Sequence, residues 1–220
     1  GVDTLFFLAR DSFVWYRMAL RLRHLFLGMN FHYLYISRKA VFVSCLYDLS
    51  DYELELVFSD TIGYTPRQLL SSLALEEDEM LQAFCADELD EPLDSGKRVR
   101  FYDRIRSSSL AKILLEKSGE ARRLLLSYLR QEGFLGSEKP GIVDIGWKGN
   151  TNRVLNYILR REEDTNAYLS FFLGVKETRH PIASIGDYEA GYYFEDYLDE
   201  PEYAYNLFAL VYVLENYFSA

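Results

Sequence analysis

Residues 141–155 constrain the fold of this chain more than any other stretch, because they predict a strand, a loop and a helix in succession. The apolar pair Ile142 and Val143 ends at an acid, Asp144, and a loop containing Gly146 and Gly149 follows. Apolar residues at helical spacing come next. The backbone N–H groups of such a loop and of the helix start form a concavity that binds anions. We therefore expect a site for a phosphorylated, hydroxylated ligand.

Two common phosphate-binding motifs do not fit this loop. A Walker A loop places its lysine after the second glycine, whereas Lys148 precedes Gly149 here. The G-x-G-x-x-G fingerprint of dinucleotide-binding proteins is absent from the loop. A sugar phosphate is the ligand class that the remaining pattern favours, with Asp144 beside the sugar hydroxyls.

The rest of the chain alternates between strand and helix patterns. Strands are predicted at 4–9, 32–37, 141–145, 168–173 and, at a sheet edge, 191–194. Helices are predicted at 13–27, 76–89, 103–116, 120–132, 150–161 and 203–218, and another begins at Thr65-Pro66. This alternation predicts an α/β fold with a Rossmann-like parallel sheet. The core comprises 1–40 and 134–220, and a large helical insertion spans about 41–133.

Polar clusters follow three of the predicted strands. They are Arg10-Asp11-Ser12, Arg38-Lys39 and the stretch 144–151. Ligands of parallel sheets bind at the carboxyl ends of the strands. If the three strands are neighbours, the three clusters therefore converge on one site.

The composition of the chain argues against some classes of function. The net charge of −10 argues against binding to a nucleic-acid backbone, and no apolar run is long enough to cross a bilayer. Between residues 48 and 94 the only base is Arg67, whereas bases prevail between 97 and 161, which allows a local basic pocket. Cys45 and Cys85 share no metal-binding or redox spacing, so we expect buried, reduced thiols and a cytoplasmic location.

The segments 5–11, 33–39 and 143–149, in this order, resemble a phosphoribosyltransferase-like domain of bacterial polysaccharide gene clusters. In type I phosphoribosyltransferases an apolar strand is followed by two acids, a short spacer, Gly, any residue and Thr. Asp144, Gly149 and Thr151 fall in register with that pattern, and Val143 replaces the first acid. The resemblance implies a type I phosphoribosyltransferase fold. It also implies transfer of ribofuranose 5-phosphate from phosphoribosyl pyrophosphate (PRPP) to a glycan in O-antigen or capsule biosynthesis.

The resemblance further implies a role for each cluster. Asp144 would hold the ribose 2- and 3-hydroxyls, directly or through Mg²⁺ bound mainly by PRPP. Arg10, Arg38 and, more weakly, Lys39 are candidates for the pyrophosphate, because guanidinium groups match phosphate oxygens. The 5-phosphate would lie against the residues of the loop and the helix start, which are Lys148, Gly149, Asn150 and Thr151.

Four further residues complete the predicted site. Asp11 is the candidate general base for the acceptor hydroxyl, and Glu215 is an alternative. Trp147 would wall the pocket. Ser12 stands where the family has glycine, close to a phosphate of the donor.

The expected partners follow from the same resemblance. They are PRPP, a glycan acceptor on a lipid carrier and a haloacid-dehalogenase-type phosphatase, which would remove the 5-phosphate. The protein itself would be cytoplasmic, at the inner face of the membrane. Direct displacement at C1 of the donor would invert its configuration and give a β-linkage. Two alternatives stay open: a phosphoribosyltransferase acting on a base or small metabolite, and a non-catalytic sugar-phosphate-binding or interaction module. Val143, in place of an acid, keeps the second alternative open.

Overall fold

A parallel sheet forms the centre of the protein. The computed structural model describes residues 1–10, 12–58, 63–162, 168–176 and 187–194. In that part of the chain, five strands pair in the order β2-β1-β3-β4-β5, all parallel. The strands are β1 (Thr4–Leu8), β2 (Asn30–Leu34), β3 (Pro140–Trp147), β4 (Leu169–Lys176) and β5 (Tyr188–Phe194). The predicted α/β fold with a parallel sheet is confirmed.

The order of the strands reverses direction between β1 and β3. The chain moves outward from β1 to β2 on one side, and from β3 through β4 to β5 on the other. Because parallel crossovers are right-handed, their helices α1 (Phe13–Arg21) and α9 (Asn150–Glu162) belong on opposite faces of the sheet. The carboxyl ends of β1 and β3 form the topological switch point, where ligands of such sheets bind.

Side-chain contacts confirm the two faces. The ring of Phe7 in β1 lies 5.7 Å from that of Tyr16 in α1. The neighbouring Phe6 faces the other way and packs edge-on against Phe134 at 5.0 Å. Phe134 also contacts Tyr168, just before β4, at 5.7 Å, and the hydroxyl of Tyr168 donates to the α9 carbonyl of Asn152. Both faces of the sheet therefore carry aromatic core contacts.

The chain divides into two compact units. One comprises Gly1–Ser37 and Tyr128–Ala220, and the other comprises Arg38–Ser127. The second unit is helical, and its last helix continues past residue 127 into the first unit. The helices are α2 (Arg38–Val43), α3 (Asp51–Phe58), α4 (Pro66–Ser72), α5 (Glu77–Met80), α6 (Ala86–Leu89), α7 (Ser95–Ser107) and α8 (Leu110–Gln131).

The start predicted at Thr65-Pro66 is confirmed, because the Thr65 hydroxyl accepts from the Gln68 N–H in a capping box with Pro66 in the first turn. The single helix predicted at 76–89 is wrong. The Glu88 side chain accepts from the Cys85 N–H at 3.0 Å and caps a separate helix, α6. The helix predicted at 103–116 is also wrong, because it breaks at Ser108.

Serine side chains explain that break. Ser108 has an extended backbone, and its hydroxyl donates to the Ile105 carbonyl at 3.2 Å. The Leu110 N–H donates in turn to the Ser108 hydroxyl at 3.3 Å. Such local bonds compete with the helical ladder, so α7 ends and α8 begins here.

The two cysteines differ in environment. Cys45 is buried, and desolvation raises the pKa of its thiol, as does the neighbouring Glu53 carboxylate. Cys85 is exposed, so the expectation of two buried thiols is wrong for it. Its Sγ donates to Glu88, and this bond raises the pKa of the Cys85 thiol. Within the described residues, no helix has the length and apolar content needed to cross a membrane.

Candidate functional site at the switch point of the sheet

The loops that follow β1 and β3 are joined at the switch point. Ser12 begins the turn into α1 and is fully buried. Its hydroxyl donates to the Val143 carbonyl of β3 at 2.9 Å, and its N–H donates to the Leu8 carbonyl at 3.2 Å. Ser12 thereby fixes the first loop to the strand that carries Asp144. This contact gives Ser12 a positioning role at the predicted site.

Glycines shape the turn between β3 and α9. Gly146 has φ of 103° and Gly149 has φ of 61°, values that non-glycine residues rarely adopt. The Gly149 N–H donates to the Gly146 carbonyl at 3.3 Å and closes the turn. Asn150 then begins α9. The first N–H groups of a helix have no acceptor within the helix, so the turn and the first turn of α9 offer donors to an anion.

A buried polar network holds Asp144. Its Oδ2 accepts from the Asn152 side-chain amide at 3.1 Å, while Oδ1 of that amide accepts from the Ser170 hydroxyl at 3.2 Å. Asn152 and Ser170 are fully buried. Because the Asp144 carboxylate only accepts hydrogen bonds, the NH₂ group of Asn152 faces it, and the amide oxygen is left to accept from the Ser170 hydroxyl. The network therefore connects β3, α9 and β4 and orients the carboxylate.

Tyr168, which immediately precedes β4, completes this network. Its hydroxyl donates to the backbone carbonyl of Asn152 at 3.0 Å. Burial raises the pKa of Tyr168, so the hydroxyl keeps its proton and remains a donor. Asn152 thus fixes the start of α9 through its side-chain amide and through its backbone carbonyl.

Arg153 is a basic residue in the first turn of α9. It is 5% exposed, and its guanidinium donates to the Asn150 side-chain oxygen. Its N–H donates to the Gly149 carbonyl at 2.9 Å. The first turn of α9 contains no acid, although acids normally stabilise that end of a helix. A buried guanidinium at the positive end of the helix dipole makes the local potential favourable for an anion.

An apolar cavity lies on the α1 face of the sheet. It has a volume of about 380 Å³, and its wall includes Val143 and Asp144 of β3. The Asp144 carboxylate bonds to α9, which packs on the opposite face. The other lining residues are Leu5, Phe7, Trp15, Met18, Ala19, Leu22, Phe26, Phe31, Phe171, Phe172 and Leu173.

The remaining predicted residues are distributed as follows. Arg10 is exposed and follows a cis peptide bond from Ala9, and Asp11 lies outside the described residues. Lys148 is exposed in the turn, and Thr151 is half-buried in the first turn of α9. Trp147 is the last residue of β3. Glu215 and the helix predicted at 203–218 also lie outside the described part.

Arg38 and Lys39 belong to the second unit. They are the first two residues of α2, and both are exposed. Their predicted contact with pyrophosphate stays a prediction. The structure brings together, within the first unit, Ser12, Asp144, Gly149, Asn150 and Thr151.

The residues present fit a magnesium ion that a ligand carries. Within the described residues, no group of three or more His, Cys, Asp or Glu could hold a metal ion. Asp144 supplies one carboxylate at the predicted sugar position. Mg²⁺ commonly uses one or two carboxylates together with substrate phosphates. Asp144 is therefore suited to share Mg²⁺ with the phosphates of a bound donor.

Sequence reasoning missed Asn152, Arg153 and Ser170. One signal was available, because an arginine in the first turn of a helix opposes the usual charge preference of that end. Asn152 carried no such signal. Its role depends on Ser170 and Tyr168 in the neighbouring strand segment, and that pairing is a property of the folded sheet.

Comparison with known proteins leaves the family open. No protein family model matches this chain, and no curated protein matches it in sequence. The functional argument therefore depends on the site itself.

Proposed function

We propose that the protein is a PRPP-dependent glycosyltransferase with a type I phosphoribosyltransferase-like fold. It transfers ribofuranose 5-phosphate to a glycan acceptor and releases pyrophosphate. The observation that carries this proposal is the position of the Gly146–Gly149 turn. It lies at the switch point of a parallel sheet, between an oriented carboxylate and the start of a 13-residue helix.

The chemistry of the turn matches the 5-phosphate. Backbone N–H groups at the start of α9, together with the Thr151 hydroxyl, supply neutral donors for phosphate oxygens. Arg153 and the helix dipole add positive potential. Lys148 is exposed in the turn, where its ammonium group can reach a phosphate from the solvent side. These features select a dianionic group on a primary carbon over an uncharged sugar.

The position of Asp144 matches the ribose ring. Asp144 lies in β3, shortly before the turn that begins at Gly146. A sugar attached to a phosphate bound in the turn would therefore lie over the carboxyl end of β3. The carboxylate then accepts from the 2- and 3-hydroxyls. Asn152 keeps it in place, which reduces the loss of side-chain freedom on binding.

The reaction itself requires a displacement at C1 of the donor. The C1–O bond to pyrophosphate breaks, the leaving group takes the electron pair, and the acceptor oxygen forms the new bond on the opposite face. The hydroxyl proton passes to a base, for which Asp11 is our candidate. Mg²⁺ bound with the donor would neutralise part of the negative charge on the leaving pyrophosphate. Arg10 would hold that group and leave C1 facing the acceptor.

Isothermal titration calorimetry of PRPP with and without Mg²⁺ tests the donor site. We expect Mg²⁺-dependent binding to the full chain, and a loss of at least tenfold in affinity in Asp144→Asn, the charge-assisted contacts being worth about 1.5–3 kcal/mol each. Glu91→Gln, which removes an exposed carboxylate of the second unit, is the matched control and should bind normally. Equal affinity in wild type and Asp144→Asn would contradict the proposal.

A transfer assay separates the enzyme from a binding module. Incubation with PRPP and a panel of lipid-linked glycans should release pyrophosphate and leave a 5-phosphorylated ribofuranose on the product. A haloacid-dehalogenase-type phosphatase should then remove that phosphate. Donor binding without pyrophosphate release on any acceptor would favour the non-catalytic alternative.

A further inference from the structure

An exposed basic and apolar surface covers the segment Phe13–Leu27, which comprises α1 and the 3₁₀ turn Arg23–Leu25. No residue of α1 or of this turn is buried. The segment 12–30 contains Arg17, Arg21, Arg23 and His24 and no acid, in a chain with a net charge of −10. This surface, which we call the α1 surface, thus has a charge opposite to that of the whole protein.

The apolar side chains of the α1 surface are placed at helical spacing. Trp15, Met18, Ala19, Leu22 and Phe26 follow the i, i+3, i+4, i+7 pattern and line the 380 Å³ cavity, so this stripe is only partly covered by the sheet. Arg17, Arg21 and His24 share a different side of the helix, at positions i, i+4 and i+7. The apolar stripe therefore faces the sheet, whereas the basic stripe lies on the solvent side of the helix, where Phe13 and Leu20 are also exposed.

The end of the segment carries the most exposed apolar residues. Leu25 is 65% exposed and Leu27 is 92% exposed, with Phe26 at 41% between them. The ring of Phe26 contacts Phe31 of β2 at 5.8 Å, which anchors this apolar tip to the sheet. Gly28, with φ of 81°, ends this apolar tip. Three consecutive exposed apolar residues beside Arg23 and His24 are costly in water.

We propose that the α1 surface binds the surface of an anionic lipid bilayer. The basic side chains would lie at the anionic headgroups, and the exposed apolar tip at Leu25–Leu27 would insert beside them. Charge complementarity selects this occupant over a second copy of the chain. A symmetric dimer through this surface would bring two copies of the same basic patch into one interface, and the segment 12–30 has no acid to pair with them.

The proposal does not depend on the donor site. It adds a location to the proposed function, because a lipid-linked acceptor would reach a protein attached to the same bilayer. The α1 surface belongs to the same unit as Asp144 and the β3–α9 turn. Membrane binding is measured without PRPP, so its failure and the failure of donor binding are separate results.

Vesicle co-sedimentation of the full chain tests the proposal. We expect binding to vesicles of phosphatidylcholine with 30% phosphatidylglycerol, and little binding to phosphatidylcholine alone. The double variant Arg17→Gln/Arg21→Gln should lower the partition coefficient on the order of 30-fold, since each cation near an anionic surface contributes roughly fivefold. Leu27→Asn, at the most exposed apolar position, should lower it about tenfold.

The matched control is Arg100→Gln/Arg123→Gln, which removes the same charge from exposed positions of the second unit. It should bind like wild type. Absence of binding to anionic vesicles, or an equal effect of the control pair, would overturn the proposal. So would binding that is insensitive to both α1-surface variants, which would point to another segment or to self-association.

Discussion

Gly146 shows how a single residue fixes the geometry of the candidate site. It lies within β3, opposite Gly174 of β4, and has φ of 103°. A Cβ there would clash with the Gly174 carbonyl oxygen and lie 2.8 Å from Cβ of Phe172. The lack of a side chain lets the two strands approach while β3 turns toward α9. The position of the predicted phosphate site thus depends on this glycine.

Gly146→Ala should therefore be strongly destabilising. We expect a loss of at least about 2 kcal/mol in the free energy of unfolding, from an unfavourable backbone conformation and a backbone clash. Gly28→Ala is the control, because Gly28 also has positive φ, at 81°, but an added Cβ would meet nothing within 4 Å. It should cost about 1–2 kcal/mol. Urea denaturation measures both, and equal losses would contradict the argument from close approach.

Gly146 also marks a limit of sequence reasoning. The pattern around Asp144 predicted the strand, the turn and the helix start at Asn150, because an apolar run, glycines and apolar periodicity are local signals. It ended the strand at 145, whereas β3 continues to Trp147. The extension comes from pairing with β4 at Gly146–Gly174 and Trp147–Val175. Such pairing depends on a strand that is remote in sequence.

At the scale of elements, α9 is connected to two strands through one residue. Asn152 bonds to Asp144 of β3, to Ser170 of β4 and, by its carbonyl, to Tyr168. These bonds therefore fix the position of α9 relative to β3 and to the start of β4. The same contacts orient the carboxylate that we assign to the ribose.

Asn152→Ala should affect both stability and donor binding. Removing the amide takes a donor from Asp144 and leaves the buried Ser170 hydroxyl without its acceptor, at a cost of about 1–3 kcal/mol. We expect PRPP affinity to fall severalfold, because Asp144 loses its orientation. Ser170→Ala keeps the amide–Asp144 bond and should lower stability with a smaller effect on affinity. The opposite order of the two affinities would show that Asn152 does not position Asp144.

The helical elements of the second unit separate strong local signals from weak ones. The start at Thr65-Pro66 was predictable because its cap and proline are adjacent in sequence. The division of 76–89 into α5 and α6 was not, since acids and apolar residues at helical spacing continue through it. Bonds from Cys85 to Glu88 decide that break. Burial of Phe84 and Leu89 in the unit's core accompanies it.

At the scale of the whole molecule, hydrogen-bonded carboxylates govern stability at low pH. Hydrogen bonds and ion pairs with bases lower the pKa of several carboxylates. In Glu79 the first cause is its bond from Lys117, at 2.7 Å, and in Asp90 it is the bond from Arg67. Glu88 and Asp94 have lowered pKa values through bonds to Cys85 and to the Lys97 N–H. All of these groups bind protons more weakly in the folded state.

The free energy of unfolding should therefore fall in acid. A carboxylate with a lowered pKa contributes stability that is fully present above its unfolded pKa, about 4, and is lost as pH falls through the folded pKa. We expect stability to be constant from pH 7 to about 5 and to decrease below that. Lys117→Gln should flatten this decrease, whereas Lys112→Gln, at an exposed pair, should not. Urea denaturation from pH 7 to 3.5 measures the effect, and rising stability in acid would contradict it.

The overall fold was more predictable than the site. Alternating strand and helix patterns predicted the parallel sheet, and the neighbouring positions of β1 and β3 place Ser12 and the stretch 144–151 at one end of it. The polar network around Asn152 and the buried Arg153 were not predictable, because each depends on contacts between elements. The roles of Asp11, Arg38 and Lys39 stay predictions.

The most direct test of the central claim is ³¹P NMR of PRPP with Mg²⁺, titrated with the protein and with Thr151→Val. If the β3–α9 turn holds the 5-phosphate, the 5-phosphate resonance of PRPP should shift and broaden on binding. Thr151→Val should reduce that change while the pyrophosphate resonances still respond. A response confined to the pyrophosphate resonances, or identical 5-phosphate shifts in wild type and Thr151→Val, would contradict the assignment of this turn.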